Sequence, residues 1–243
     1  MRRSSRIGCI ALLAMTLGIN GCSQVPEFSR VAGPSAALNY LVQRQHHILV
    51  VGDSTTAGTT FGGHGYTNWV NVVATDLAAE GRSAAFARVA SGGSGYLMPS
   101  IDDGATFFSG VRRNAGPDTD LIVAFGSNND MEAPGDLRDA VRRVIELAQQ
   151  RSPRTAIILV APIWIRSPQP PASHDRMTRI LATVAEEYDL EYHDPTQERW
   201  LADTSGYLGE DGIHPNDEGH RILANRMGDV IGRRLDRLEA DQA

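Results

Sequence analysis

The chain contains no lysine: all 23 of its basic residues are arginine. A phosphate-binding loop of the Gly-x-x-x-x-Gly-Lys type is therefore excluded. Cysteine is almost as scarce. The two present are Cys9 and Cys22, so no disulfide can staple anything that follows residue 22. No internal run approaches the roughly 18 consecutive apolar residues of a membrane-spanning helix. No group of histidines and acids has the spacing of metal ligands, so no metal and no cofactor is expected. Repeats and low-complexity blocks are absent. Positive charge is in deficit, with a formal net charge of -6, which argues against a nucleic-acid backbone as the main partner.

What is present starts with an amino terminus that does not belong to the fold. "MRRSSRIGCIALLAMTLGINGCSQ" opens with Arg2, Arg3 and Arg6 and continues with an apolar run from Ile7 to about Ile19. This is the layout of a secretory signal peptide, expected over residues 1–21. "INGC" is similar to a bacterial lipobox, in which cleavage precedes a cysteine that is then lipidated. A lone cysteine directly after a signal segment has an explanation if Cys22 carries lipid. Residues 22–44 read as a tether with one short helix at about 36–44, and residues 45–243 as the working domain. The expected location is outside the cytoplasm, either anchored to the membrane in the cell envelope or secreted. The length of 243 residues suits one domain with a substantial core, and nothing demands more than a monomer.

Within the domain, two periods alternate. "HILVV" from His47 is a short β-branched run that ends at Gly52, and Asn68 to Ala79 has apolar residues at helical spacing. Ala85 to Ala90, "DLIVAFGS" from Asp120, "TAIILVAPI" from Thr155 and "EYHD" from Glu191 read as further strands. "DLRDAVRRVIELAQQ" reads as an amphipathic helix, "ASHDRMTRILATVAEEYDL" as a helix and "NDEGHRILANRMGDVIGRRLDRL" as a long C-terminal helix. This alternation predicts an α/β domain: a parallel sheet of about five strands with helices on both faces. Ligands bind such sheets outside the carboxyl ends of the strands. Ser54 in "VGDSTTAG" lies just past the first of these ends.

A serine there is either a turn former or a nucleophile. A nucleophile needs a base, a group to orient the base, and donors for the developing oxyanion. Of seven histidines, His214 in "EDGIHPNDEGH" stands out. It follows Asp211 by three residues on the loop that leads into the last helix, so one loop can carry base and orienter together. His46, His47, His64, His174, His193 and His220 are read as surface or structural residues. "GGSGY" around Ser94 imitates a nucleophile elbow but has Tyr96 where the second glycine is required, so Ser94 is read as a loop residue.

Gly-Asp-Ser after the first strand, a glycine-rich turn after the second, Gly-x-Asn after the third and Asp-x-x-His-Pro before the last helix occur in this order. Together, over about Ile48 to Ala224, they resemble the SGNH hydrolases, also called the GDSL esterase/lipase family. The resemblance implies a three-layer α/β/α flavodoxin-like fold and ester hydrolysis through an acyl-enzyme. It implies Ser54 as nucleophile, His214 as base and Asp211 as its orienter. It also implies an oxyanion hole formed by the Ser54 N–H, the Gly95 N–H and the Asn128 amide, with Gly92 and Gly93 making the turn. Two departures stand out. Asn129 takes the place of the family's aspartate, so alignment from Gly126 selects Asn128 and alignment from "ND" selects Asn129; the strand end favours Asn128. Ala90 replaces a frequent asparagine. Asp53 is expected to hold the turn that presents Ser54, and Trp69 to pack the first helix. Trp164 and the loop from Phe61 to Tyr66 are candidates for the cleft wall. The expected substrates are esters, either acetylated envelope sugars or short-to-medium acyl esters or thioesters. The alternative from a different class is a non-catalytic lipoprotein that binds envelope polymers.

Overall fold

The computed structural model of the protein describes residues 45–167, 169–201 and 206–241. The expected signal segment, the tether with its short helix, and Cys22 lie outside the described residues. The elements run β1 (His46–Gly52), α1 (Ser54–Ala57), α2 (Trp69–Ala79), β2 (Ala84–Ala90), α3 (Phe107–Asn114), β3 (Leu121–Phe125), α4 (Leu137–Arg151), β4 (Ala156–Val160), α5 (Ala172–Glu187), β5 (Glu191–His193) and α6 (Asp217–Ala240). Single 3-10 turns form at Gly65–Thr67 and Asn128–Asp130.

All five strands are parallel, in the order β2-β1-β3-β4-β5. Every residue of β3 and β4 is buried, whereas the edge strands β2 and β5 are only partly covered. That is why the central strands read as continuous apolar runs and the edges do not. Side chains alternate between the two faces. Ile48, Val50, Leu121 and Val123 point to one side, where Trp69 and Val73 of α2 and Leu223 and Met227 of α6 cover them. Leu49, Val51, Ile122 and Ala124 point to the other, under Val111 of α3, Val144 of α4 and Leu181 of α5. The three-layer α/β/α fold expected from the alternation is the fold observed.

Helix α3 has no counterpart among the expected elements. It starts with a capping box between Thr106 and Ser109 and carries Gly110 at its centre. A Cβ on Gly110 would stand 3.3 Å from the side chains of Val51 and Val89, so this helix lies unusually close to the sheet. The glycine that permits the approach also weakens the helical signal in the sequence.

The register aligns Ala90, Gly52, Phe125 and Val160 side by side, so the loops after β2, β1, β3 and β4 leave the sheet at one level. The chain winds outward from β1 in one direction to β2 and in the other to β3. The crevice between the ends of β1 and β3 is therefore the switch point of the sheet.

Candidate active site

Ser54 is the first residue of α1, directly beyond that crevice. The turn that presents it is built by its neighbours. A Cβ on Gly52 would fall 2.3 Å from Thr56 Oγ1, so only glycine lets the strand enter the helix this tightly. Asp53 caps the helix: its carboxylate accepts the Thr55 N–H at 2.9 Å, and its carbonyl accepts the N–H groups of Thr56 and Ala57. Burial pushes the Asp53 carboxyl above its usual range, partly opposed by hydrogen bonds from the Thr55 N–H and the Ser127 hydroxyl. The expectation that Asp53 holds the turn agrees with these contacts.

His214 sits on a loop closed by its own backbone. The Gly209 N–H donates to the His214 carbonyl at 2.8 Å, and the Asn216 N–H to the Tyr207 carbonyl at 2.9 Å. The Asn216 side chain then caps α6 by accepting the Gly219 N–H. Asp211 Oδ1 accepts the N–H groups of Ile213 and His214, and its Oδ2 lies 2.5 Å from His214 Nδ1. His214 Nε2 lies 2.9 Å from Ser54 Oγ. Serine, imidazole and carboxylate thus form one continuous chain of hydrogen bonds. Partial desolvation pushes the Asp211 carboxyl up, but the hydrogen bonds from the His214 ring and from the two backbone N–H groups outweigh it and hold the group below its usual range. An ionised Asp211 fixes the imidazole with a proton on Nδ1 and leaves Nε2 free to accept one from Ser54.

The loop from Phe61 to Tyr66 packs against this assembly instead of lining the cleft. Phe61 lies over Gly209, and the Asp217 carboxylate ties down the Gly63 N–H at 2.9 Å and the Thr67 hydroxyl at 2.8 Å. Behind it, the Trp69 N–H donates to Nδ1 of buried His220 at 3.4 Å, joining the start of α2 to α6.

Ser54 and His214 open into a cleft of about 420 Å³, lined by Thr55, Thr59, Asn128, Asn129 and Ile163, among others. Among the described residues the Ser54 N–H has no acceptor in the protein. Asn128 Nδ2 donates one hydrogen to the Ile163 carbonyl at 2.8 Å, which orients the amide and leaves its second hydrogen for a ligand. Asn129 Nδ2 donates to the Ser94 carbonyl at 2.9 Å and so ties the floor of the cleft to the glycine-rich loop.

Gly95 departs from expectation. Its N–H is already committed to the Met98 carbonyl at 2.8 Å, and a Cβ there would strike the Asp130 carboxylate at 2.3 Å. The cause is Asp130, whose carboxylate accepts the N–H groups of Tyr96, Leu97 and Met98 and curls that segment away from the cleft. Gly92 and Gly93 line the cleft instead, and neither N–H has an acceptor among the described residues. Ser94 is a loop residue, its hydroxyl donating to the Ser91 carbonyl at 2.8 Å, with the Gly52 carbonyl a second acceptor within reach at 3.1 Å. Trp164 is not in the cleft wall; Arg166, two residues on, is. Ile163, Arg166 and Ile213 were not among the expected site residues. Their places after β4 and beside His214 are the signal that could have found them. Among the described residues no group of three or more His, Cys, Asp and Glu could hold a metal ion.

Comparison with known proteins finds similarity over most of the chain. The profile of the "GDSL-like Lipase/Acylhydrolase family" matches residues 50–222. A GDSL lipase of Mycobacterium tuberculosis is 34% identical over 233 residues, covering 94% of this chain and 96% of its own. Among solved structures, a psychrotrophic esterase from Pseudoalteromonas superposes with a TM-score of 0.61 at 17% identity, over 79% of this chain and all of its own. A lipase/acylhydrolase from Enterococcus faecalis gives a TM-score of 0.59 at 21% identity, over 78% of this chain and 97% of its own.

Proposed function

The chain belongs to the GDSL-like lipase/acylhydrolase family, a group of hydrolases of the esterase/lipase type, and on that premise we propose that it is an exported serine esterase acting through Ser54, His214 and Asp211. The observation that carries the reading is the unbroken path from Asp211 through His214 to Ser54, with contacts of 2.5 and 2.9 Å, at the switch point of the sheet. In the reaction, His214 Nε2 takes the proton of the Ser54 hydroxyl as Oγ attacks the ester carbonyl. The negative charge that develops on the carbonyl oxygen is met by the Ser54 N–H, one Asn128 N–H and an N–H of Gly92 or Gly93. His214 then hands its proton to the departing alkoxide, leaving the acyl group on Ser54. Water attacks this acyl-enzyme and gives a proton to His214, which passes it to Ser54 Oγ as the acyl–oxygen bond breaks, releasing the acid and the free serine. Asp211 holds the ring and compensates the imidazolium charge.

The cleft volume and the polar side chains around Ser54 suit acetyl or short-to-medium acyl esters, including acetylated envelope sugars. The name of the mycobacterial relative, a lipase, favours an ordinary carboxylic ester as the reacting bond. Export rests on the signal-like segment 1–21 and membrane attachment on Cys22. Labelled fatty acid should enter the wild-type protein in cells but not Cys22→Ser; equal labelling of both sinks the anchor.

The enzymatic reading is tested with p-nitrophenyl acetate and a panel of longer acyl esters. Wild type should hydrolyse some of them and Ser54→Ala none above background. A fluorophosphonate probe should label wild type and Ser94→Ala but not Ser54→Ala. Equal activity of wild type and Ser54→Ala would remove the nucleophile assignment, and inactivity of both on every ester would favour a polymer-binding role.

A further inference from the structure

Arg166 lines the same cleft as Ser54 and His214. Its guanidinium carbon stands 5.3 Å from the centre of the Trp164 ring. That ring is itself fixed. The Trp164 backbone N–H donates to Thr196 Oγ1 at 2.9 Å, and its indole N–H to Ser167 Oγ at 3.1 Å. Its ring also meets the buried ring of His174 nearly edge-on, at 5.7 Å. A guanidinium laid against an aromatic face keeps its N–H donors around the rim, where a planar anion can take two of them.

None of the arginine–carboxylate pairs among the described residues involves Arg166. Among the described residues the only carboxylate in the cleft wall is Asp53, which is buried and occupied by the Ser54 turn. Arg166 is exposed, held against the Trp164 ring and shares the cleft with the nucleophile, so its N–H donors are open to an anion from outside.

We propose that Arg166 is a specificity-determining residue that selects esters bearing an anionic group, carboxylate or phosphate, near the scissile bond. The inference rests on the reading of the cleft as an esterase site. Its experiment compares charged and neutral versions of one ester in the same enzyme, so that any general loss of activity cancels. On the acyl side the pair is the p-nitrophenyl monoester of glutaric acid and its methyl ester. On the alcohol side it is acetylated glycerol phosphate and acetylated glycerol, followed by acetate release. Wild type should prefer the charged member of at least one pair, in kcat/KM, by about fivefold, the scale of a charge-assisted contact open to water. The preference should shrink in high salt, vanish in Arg166→Gln and partly survive in Arg166→Lys. The pair that responds tells whether the anion belongs to the acyl group or the alcohol. Hydrolysis with no charge preference in either pair, or a preference unchanged in Arg166→Gln, overturns the proposal and leaves the esterase reading intact. Failure of wild type on all four esters and on the p-nitrophenyl panel overturns both.

Discussion

Two aspartates flank the candidate site, and their surroundings give them opposite characters. Asp53 adjoins the serine, is buried, and spends its carboxylate on the turn of α1; burial raises its pKa. Asp211 lies on the His214 loop, keeps partial contact with water, and bonds the ring; its pKa is lowered. Proximity in sequence to the nucleophile therefore says little about which acid serves the base. The relevant quantity is which carboxylate stays ionised while facing the imidazole.

This contrast can be broken most directly by amidation. Asp211→Asn should cost about 10³- to 10⁴-fold in kcat, as loss of the orienting acid does in related triads, with only a small drop in melting temperature. Asp53→Asn keeps a good helix cap and should cost less than about tenfold. Comparable losses in the two variants would dissolve the distinction. Next in size is the oxyanion hole. Asn128→Ala should lower kcat about 10²- to 10³-fold with little change in KM, whereas Asn129→Ala should chiefly loosen the Ser94 loop and lower the melting temperature. The reverse ranking would move the donor to Asn129.

A third measurement concerns His220, whose burial lowers its pKa from 6.5 to about 4. The unfolded chain takes up this proton below pH 6.5 while the folded protein refuses it until about pH 4. Stability should therefore fall across that window as the medium is acidified, by on the order of 3 kcal/mol in total. Urea midpoints should show a shallower acid decline in His220→Gln than in wild type; parallel declines would remove His220 as the cause. The smallest effect separates the aspartates again. Asp211 contributes stability that is present above its ordinary pKa of 3.8 and lost as pH falls through its lower folded value. Asp53 works in the other sense, its contribution falling as pH rises from 3.8 through its higher folded value. Amidation should thus tilt the pH dependence of urea midpoints in opposite directions in the two variants.

Much of this molecule was legible in its sequence where one strand or one loop sufficed. The apolar runs of β1, β3 and β4 announced their burial, and their ends located Ser54 and Asn128. Asp211 and His214 share a loop of a few residues, so their spacing carried their contact. Gly95 was not legible in this way. Which amide of a glycine-rich loop stays free depends on Asp130, which lies more than thirty residues away and takes the N–H groups of Tyr96, Leu97 and Met98. Arg166 escaped for a similar reason: its role depends on where the loop after β4 lays Trp164. Helix α3 was hidden by the glycine that lets it approach the sheet.

The hydrogen bond between His214 and Ser54 joins positions 160 residues apart, and the His214 loop runs straight into α6, whose His220 meets the start of α2. Production of the polypeptide runs from the serine to the histidine. Every shorter nascent chain therefore carries a serine without its base. The reactive centre comes into being only once the His214 loop has been made and seated, so turnover reports on completion of the fold, and a chain cut short before His214 lacks the base and is chemically inert rather than merely unstable.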